Sequence, residues 1–190
     1  GVLKAIKNLR NYGNGYVNFG EPININQFLN DNVDDWRDAI DPIDPQKPSW
    51  LTPAVNHLAN DVMTNINQCV ALNSVSLAAL ILLATENKAL AESELKQELN
   101  FFLAMQKHAP YSNLMTFPEE DVDQLIAHLK SLNKVNVESD NFGDILSLSA
   151  TAALEMRYYR NNILHAYVVP SLVCRLLERN SKIANDELVK

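Results

Sequence analysis

The chain has 190 residues, 47% of them hydrophobic, and a formal net charge of −7. That apolar fraction is sufficient for a packed core and excludes a disordered chain. A sequence pI near 5.0 argues against a protein that coats nucleic acid, and the five glycines (Gly1, Gly13, Gly15, Gly20 and Gly143) form neither GxGxxG nor GxxxxGK[ST], which excludes the common phosphate-cradling loops.

The first methionine is Met63, and the chain opens on Gly1, so the sequence reads as a piece of a longer protein. Gly15-Tyr16-Val17-Asn18-Phe19 alternates with the period of a strand, and Gly20-Glu21-Pro22 predicts a turn after it. A lone strand needs neighbours to be stable, so the stretch from Gly1 to Ile23 is expected to be poorly ordered. A short helix is predicted over Ile25 to Leu29, capped by Asn24 or Asn26. Three prolines between Asp41 and Pro48 then forbid a helix and favour an extended linker. This places a domain boundary near residue 50, dividing the chain into 1–50 and 51–190.

Beyond the prolines the pattern turns helical. Thr52-Pro53 reads as a cap followed by proline at the first helical position, and Val55, Leu58, Ala59, Val62, Met63, Ile66 and Val70 recur at helical spacing. A second helix, Ser74 to Thr85, is apolar nearly all round and is expected at the centre of the core. Further helices are predicted over Glu92 to His108 and Pro118 to Leu132. Val135–Glu138 and Asp144–Leu148 read as a small hairpin, followed by a long helix from Ala150 to about Asn180, kinked at Pro170. The fold class is therefore mainly α, a helical bundle carrying a small β-hairpin. The fourth helix plus hairpin imitates a winged helix, but the helix carries four acidic residues against Lys130 alone.

Few residues offer chemistry. Cys69 and Cys174 form no CxxC pair, and their apolar contexts predict buried free thiols in a reducing compartment. His57 and Cys69 would lie about 18 Å apart on one helix, too far to share a metal, so neither a metal nor a cofactor is expected. His57 and Asp61 share a helix face in a pairing that can serve a general base, although an exposed surface pair is the preferred reading. The acidic run from Asp31 to Asp41 lacks the spacing and internal glycine of a calcium loop. The longest wholly apolar run, Leu77 to Ala84, is far short of the ~20 residues that span a bilayer. No transmembrane helix is expected, and attachment to a membrane surface stays open.

The most unusual patch is Arg157-Tyr158-Tyr159-Arg160-Asn161-Asn162 with His165. Leu154, Tyr158, Asn161, His165, Val168 and Leu172 fall on one helical seam, so Asn161 and His165 interrupt an apolar stripe. Buried polar groups need partners. Tyr158, Arg160, Asn161, Asn162 and His165 are therefore candidates for a hydrogen-bonded lock against a neighbouring domain or for part of a ligand wall; the lock is preferred.

Several strings carry a family resemblance. They are Tyr12-Gly13-Asn14-Gly15 through Gly20-Glu21-Pro22-Ile23, Asp35-Trp36-Arg37-Asp38-Ala39-Ile40-Asp41-Pro42-Ile43, Trp50-Leu51-Thr52-Pro53-Ala54-Val55-Asn56, Tyr158-Tyr159-Arg160-Asn161-Asn162-Ile163-Leu164-His165 and Pro170-Ser171-Leu172. In this order they resemble the bacterial membrane-associated glycerol-3-phosphate 1-O-acyltransferases, in the region behind the conserved acyltransferase blocks. The resemblance implies transfer of a fatty acyl group from acyl-CoA or acyl carrier protein to glycerol 3-phosphate, giving lysophosphatidate for phospholipid synthesis. It implies an enzyme on the cytoplasmic face of the inner membrane, peripheral or monotopic, with no nucleic-acid partner.

The family's histidine general base stands in an HxxxxD motif. Here the fifth residue after His57, His108, His128 and His165 is Val62, Asn113, Asn133 and Pro170, so no catalytic residue is carried over and the motif is expected outside this chain. On this reading residues 1–50 are the end of an α/β acyltransferase domain, with its last strand and a turn at Gly20, Glu21 and Pro22, plus the linker. Residues 51–190 are a helical domain, incomplete at its C-terminus. The fragment alone is expected to be inactive. The alternative is a non-catalytic helical interaction module acting through its winged-helix-like portion.

Overall fold

A computed structural model of the chain describes residues 15–44 and 46–179. These fall into two compact units, one running Asn18–Cys69 and one made of residues 15–17 with Val70 onward.

In the first unit, helix α1 (Ile25–Asn32) starts where the Asn24 side chain accepts a hydrogen bond from the Gln27 N–H, at 3.2 Å. Helix α2 (Leu51–Gln68) starts two residues before the predicted first position. Pro53 then falls inside the first turn, where a missing N–H costs nothing because the first four have no intrahelical partner. Phe28 is buried with its ring edge-on to His57, centroids 5.3 Å apart. Trp36 packs edge-on to Trp50, and the Arg37 guanidinium lies 4.2 Å over the Trp36 ring. The proline segment lies inside this unit.

The predicted strand at residues 15–19 does not form; the backbone from 15 to 24 takes no regular structure. Among the described residues no neighbouring strand offers it a ladder, and alternation without a partner does not make a strand. Phe19 and Val17 are left exposed. The expectation of poor order before Ile23 lies, for residues 1–14, outside the described residues.

The second unit is built around helix α3 (Ser74–Leu82), capped by the Asn73 side chain on the Ser76 N–H at 3.0 Å and buried along nearly its whole length. Strand β1 (Ala89–Ala91) leads into helix α4 (Glu92–His108), which buries Leu95, Leu99 and Leu103 at helical spacing. Helix α5 (Val122–Ser131) opens on a reciprocal box: Asp121 accepts from the Gln124 N–H at 2.8 Å and Gln124 accepts from the Asp121 N–H at 3.0 Å. Strands β2 (Asn136–Asp140) and β3 (Gly143–Ser147) make the predicted hairpin. Gly143 at its tip holds φ +129°, open to glycine but not to other residues.

The hairpin gains a third strand that the sequence did not announce. β1 pairs antiparallel with β3, matching Leu90 to Leu146, which gives the order β1-β3-β2. Ala-Leu-Ala is too short and too helix-prone to read as a strand. The sequence of helix, strand, two helices and hairpin completes the winged-helix likeness as topology.

Helix α6 (Ala150–Arg179) continues through Pro170 and packs on α3. Its buried side is Ala153, Met156, Ile163, Ala166 and Tyr167. The seam predicted as buried, Leu154 to Leu172, lies on the opposite side, with Leu154, Tyr158, Val168 and Leu172 exposed. Both stripes recur at three and four residues, so periodicity alone could not choose between them. The thiols also differ from expectation: Cys69 is half-buried and Cys174 exposed, because Cys174 lies in the C-terminal turns of α6 that little else covers.

Candidate functional site

The patch on α6 stands about two to four turns beyond the helix start. Tyr158, Asn161 and Asn162 are exposed, while Arg160 and His165 are half-buried. Arg160 donates to the Asn161 side-chain oxygen from Nε at 3.3 Å and Nη2 at 3.0 Å, which orients the amide along the helix. His165 meets the ring of Tyr111 edge-on at 5.1 Å, and Tyr158 meets Tyr159 at 5.9 Å. Lys134 sits 5.8 Å over the Tyr159 ring and binds Glu155 at 2.9 Å, which holds that carboxyl below its ordinary value. Helical spacing thus gathers these residues on neighbouring surfaces of one helix without closing a cavity around them.

An apolar groove of about 420 Å³ lies further along, between α4 and the end of α6. Phe101, Phe102, Met105 and Cys174 line it, with the Arg175–Glu178 ion pair (2.7 Å) among its residues. None of the predicted site residues reaches it.

Gly20 lies close to the C-terminal turn of α2: a Cβ there would meet Cys69 Sγ at 3.4 Å and the Asn65 Cβ at 3.5 Å. Two residues earlier, Asn18 Nδ2 donates to the Cys69 carbonyl at 2.7 Å, satisfying a carbonyl at the helix end. Glu21 and Pro22 are exposed. His57 and Asp61 form the expected surface pair, 3.7 Å apart and about half exposed on both sides. Asp41 turns inward on its own loop, accepting from the N–H groups of Ile43 and Asp44, which hold its carboxyl low. Among the described residues no three His, Cys, Asp or Glu side chains converge as metal ligands would.

Two features were invisible in the sequence. Lys130 on α5 bridges Glu92 of α4 and Asp144 of β3, and Lys96 joins Glu92 to Asp123. Lys96 and Lys130, two basic side chains of the winged-helix portion, are therefore already paired with carboxylates. The second feature is Gln106, fully buried, which donates to the Ala166 carbonyl at 2.6 Å and accepts from the Tyr111 N–H at 2.9 Å. Nothing local in the sequence links positions 60 apart.

Along its full length, residues 1–190, the chain matches the family described as the glycerol-3-phosphate acyltransferase C-terminal region. It is 66% identical to a glycerol-3-phosphate acyltransferase of Colwellia psychrerythraea over 189 residues, which are 100% of this chain and 23% of that protein. Identity is 52% to the protein of the same name from Pseudoalteromonas translucida, over 94% of this chain and 22% of that protein. It is 45% to that of Shewanella loihica, over 99% of this chain and 23% of that protein. The chain thus spans under a quarter of the length of these relatives. The family resemblance read from Tyr12-Gly13-Asn14-Gly15 to Pro170-Ser171-Leu172 holds throughout, and the chain belongs to the glycerol-3-phosphate acyltransferase C-terminal region family.

Proposed function

We propose that this chain is the C-terminal part of a glycerol-3-phosphate 1-O-acyltransferase. The observation that carries the reading is the family match over residues 1–190, together with relatives named glycerol-3-phosphate acyltransferase, each about four times longer than the matched part. In such a reaction a base removes the proton from the 1-hydroxyl of glycerol 3-phosphate. The alkoxide attacks the thioester carbonyl of acyl-CoA or acyl carrier protein, and the thiolate leaves. No histidine here has a carboxylate five residues on, so the base belongs to the remainder of the parent polypeptide.

Within this reading, residues 1–50 close the acyltransferase domain, with Gly20, Glu21 and Pro22 at its edge, and residues 51–190 form the helical region behind it. The parent acts on the cytoplasmic face of the inner membrane. No helix among the described residues is long and apolar enough to cross a membrane, so whatever holds the parent there does so without a span from these helices. Tyr158, Arg160, Asn161, Asn162 and His165 serve as an interdomain contact rather than a substrate wall, a role supported by their spread over an open helix surface. The rival is a non-catalytic helical interaction module with a winged-helix-like portion, and its nucleic-acid-binding form is disfavoured by the net charge and by the pairing of Lys96 and Lys130 with carboxylates.

The test is an acyl-transfer assay on the full-length protein with glycerol 3-phosphate and each donor, beside the same assay on residues 1–190. Turnover by the full protein and none by the fragment is expected. A full-length protein inert with both donors, or an upstream sequence lacking HxxxxD, would overturn the assignment.

A further inference from the structure

Helix α6 is apolar on two opposite sides. One side packs into the core through Met156, Ile163 and Tyr167, each essentially inaccessible. The other runs Leu154, Tyr158, Asn161, His165, Val168, Leu172 and Leu176, a stripe about 33 Å long at 1.5 Å per residue. Its apolar members are 43–71% exposed. A helix that carries apolar side chains on both of these sides is built to sit between two layers, whereas a surface helix keeps one side polar. An exposed apolar stripe of this length marks a contact surface.

We propose that this outer stripe is the seat of the acyltransferase portion of the same polypeptide, an inference that rests on the functional reading above. More than three-quarters of the Colwellia psychrerythraea relative lies outside the aligned part, so a covalently attached occupant of ample size is at hand. Attachment supplies it at high effective concentration without any partner having to be found. The chemistry of the stripe fits protein rather than lipid. Asn161 and His165 stand in its middle, polar side chains that a protein surface accommodates and hydrocarbon does not. Charge fits too: α6 carries four arginines and two glutamates in a chain of net −7. Glu155 and Glu178 are already engaged by Lys134 and Arg175. Arg157 flanks the stripe, so the matching surface is apolar with a carboxylate at its rim.

The experiment uses full-length protein with single added cysteines, Leu172→Cys and Val168→Cys on the stripe and Ser93→Cys at an exposed polar position of α4, labelled with a water-soluble maleimide and read peptide by peptide. Both stripe positions are exposed here, so the substitutions leave the fold of this region intact. Expected is labelling of both stripe cysteines at least about tenfold slower than at position 93, since a covered residue reacts only through transient opening. The protection should be independent of protein concentration and of added phosphatidylglycerol vesicles. Rates equal to position 93 would overturn the proposal. Protection that disappears on dilution would assign the stripe to a second copy, and protection that requires vesicles would assign it to the membrane; either result overturns it as well. Labelling reads no turnover, so an inactive parent would defeat the functional reading and leave this result standing.

Discussion

Gln106 answers a problem that Pro170 creates. Proline has no N–H, so the carbonyl four residues earlier, that of Ala166, loses its helical donor in a place where water does not reach. The Gln106 amide supplies the donor at 2.6 Å, and its oxygen is in turn held by the Tyr111 N–H. α6 therefore stays helical through Pro170 without leaving that carbonyl unpaired. Replacing Gln106 by Leu should cost about 1–3 kcal/mol, the penalty of a buried unpaired carbonyl. In a Pro170→Ala background, where the backbone donates to Ala166 again, the same substitution should cost less. Denaturant midpoints of the four proteins in this cycle give the coupling directly, and equal costs in both backgrounds would refute the compensation. Pro170 was legible in the sequence as a break; the residue that repairs it was not, because it lies 60 positions away on another helix.

Elements were legible where their own residues determined them. α4 matches its expected span, Glu92 to His108, because acidic residues open it, basic residues close it and its apolar positions keep one face. The hairpin was legible from its turn residues, but its third strand was not, since Ala89–Ala91 is a strand only by virtue of β3. What joins these elements is partly electrostatic. Lys130 ties α5 to α4 through Glu92 and to β3 through Asp144 (2.7 Å). Its hydrogen bonds hold the Glu92 carboxyl below its ordinary 4.5 and the Asp144 carboxyl below its ordinary 3.8, with Ser139 also donating to Asp144. A carboxyl held low stabilises the fold fully above its unfolded value and loses that contribution as the pH falls through the lower folded value. Lys130 itself is raised above 10.5, chiefly by Asp144, so its contribution is intact below that value and lost as the pH climbs through the raised one. Lys130→Met should therefore lower the melting temperature at pH 7, by a few degrees at most for partly exposed partners. The gap should narrow once the pH falls below about 4, where the carboxylates of the unsubstituted protein protonate too. A gap unchanged from pH 7 to pH 3 would rule out the network as its source.

At the scale of the whole molecule, stability should be graded between the two compact units. The unit from Val70 onward buries α3 almost completely and encloses Leu95, Leu99, Leu125, Leu129, Leu146 and Met156. In Asn18–Cys69 the buried apolar residues among those described are Phe28 and Ala54 alone, and the α2 side chains expected to form its core stripe, Val55, Val62, Met63 and Ile66, are 40–59% exposed. The spacing of those residues was read correctly as helical, but spacing says nothing about whether a partner covers the face. Burial of apolar surface is the main source of stability, at roughly 25 cal/mol per Å². Native-state hydrogen exchange on the 190-residue chain should therefore show α2 amides exchanging through low-energy local opening, while α3 and α4 exchange only through events approaching global unfolding. In rising urea the α2 amides should lose protection first. The full-length protein provides the contrast: if the uncovered stripe of α2 is covered there, its amides should approach the protection of α3. Equal protection of α2 and α3 in the short chain would mean that the first unit draws stability from something other than its own buried surface, and the graded picture would fail.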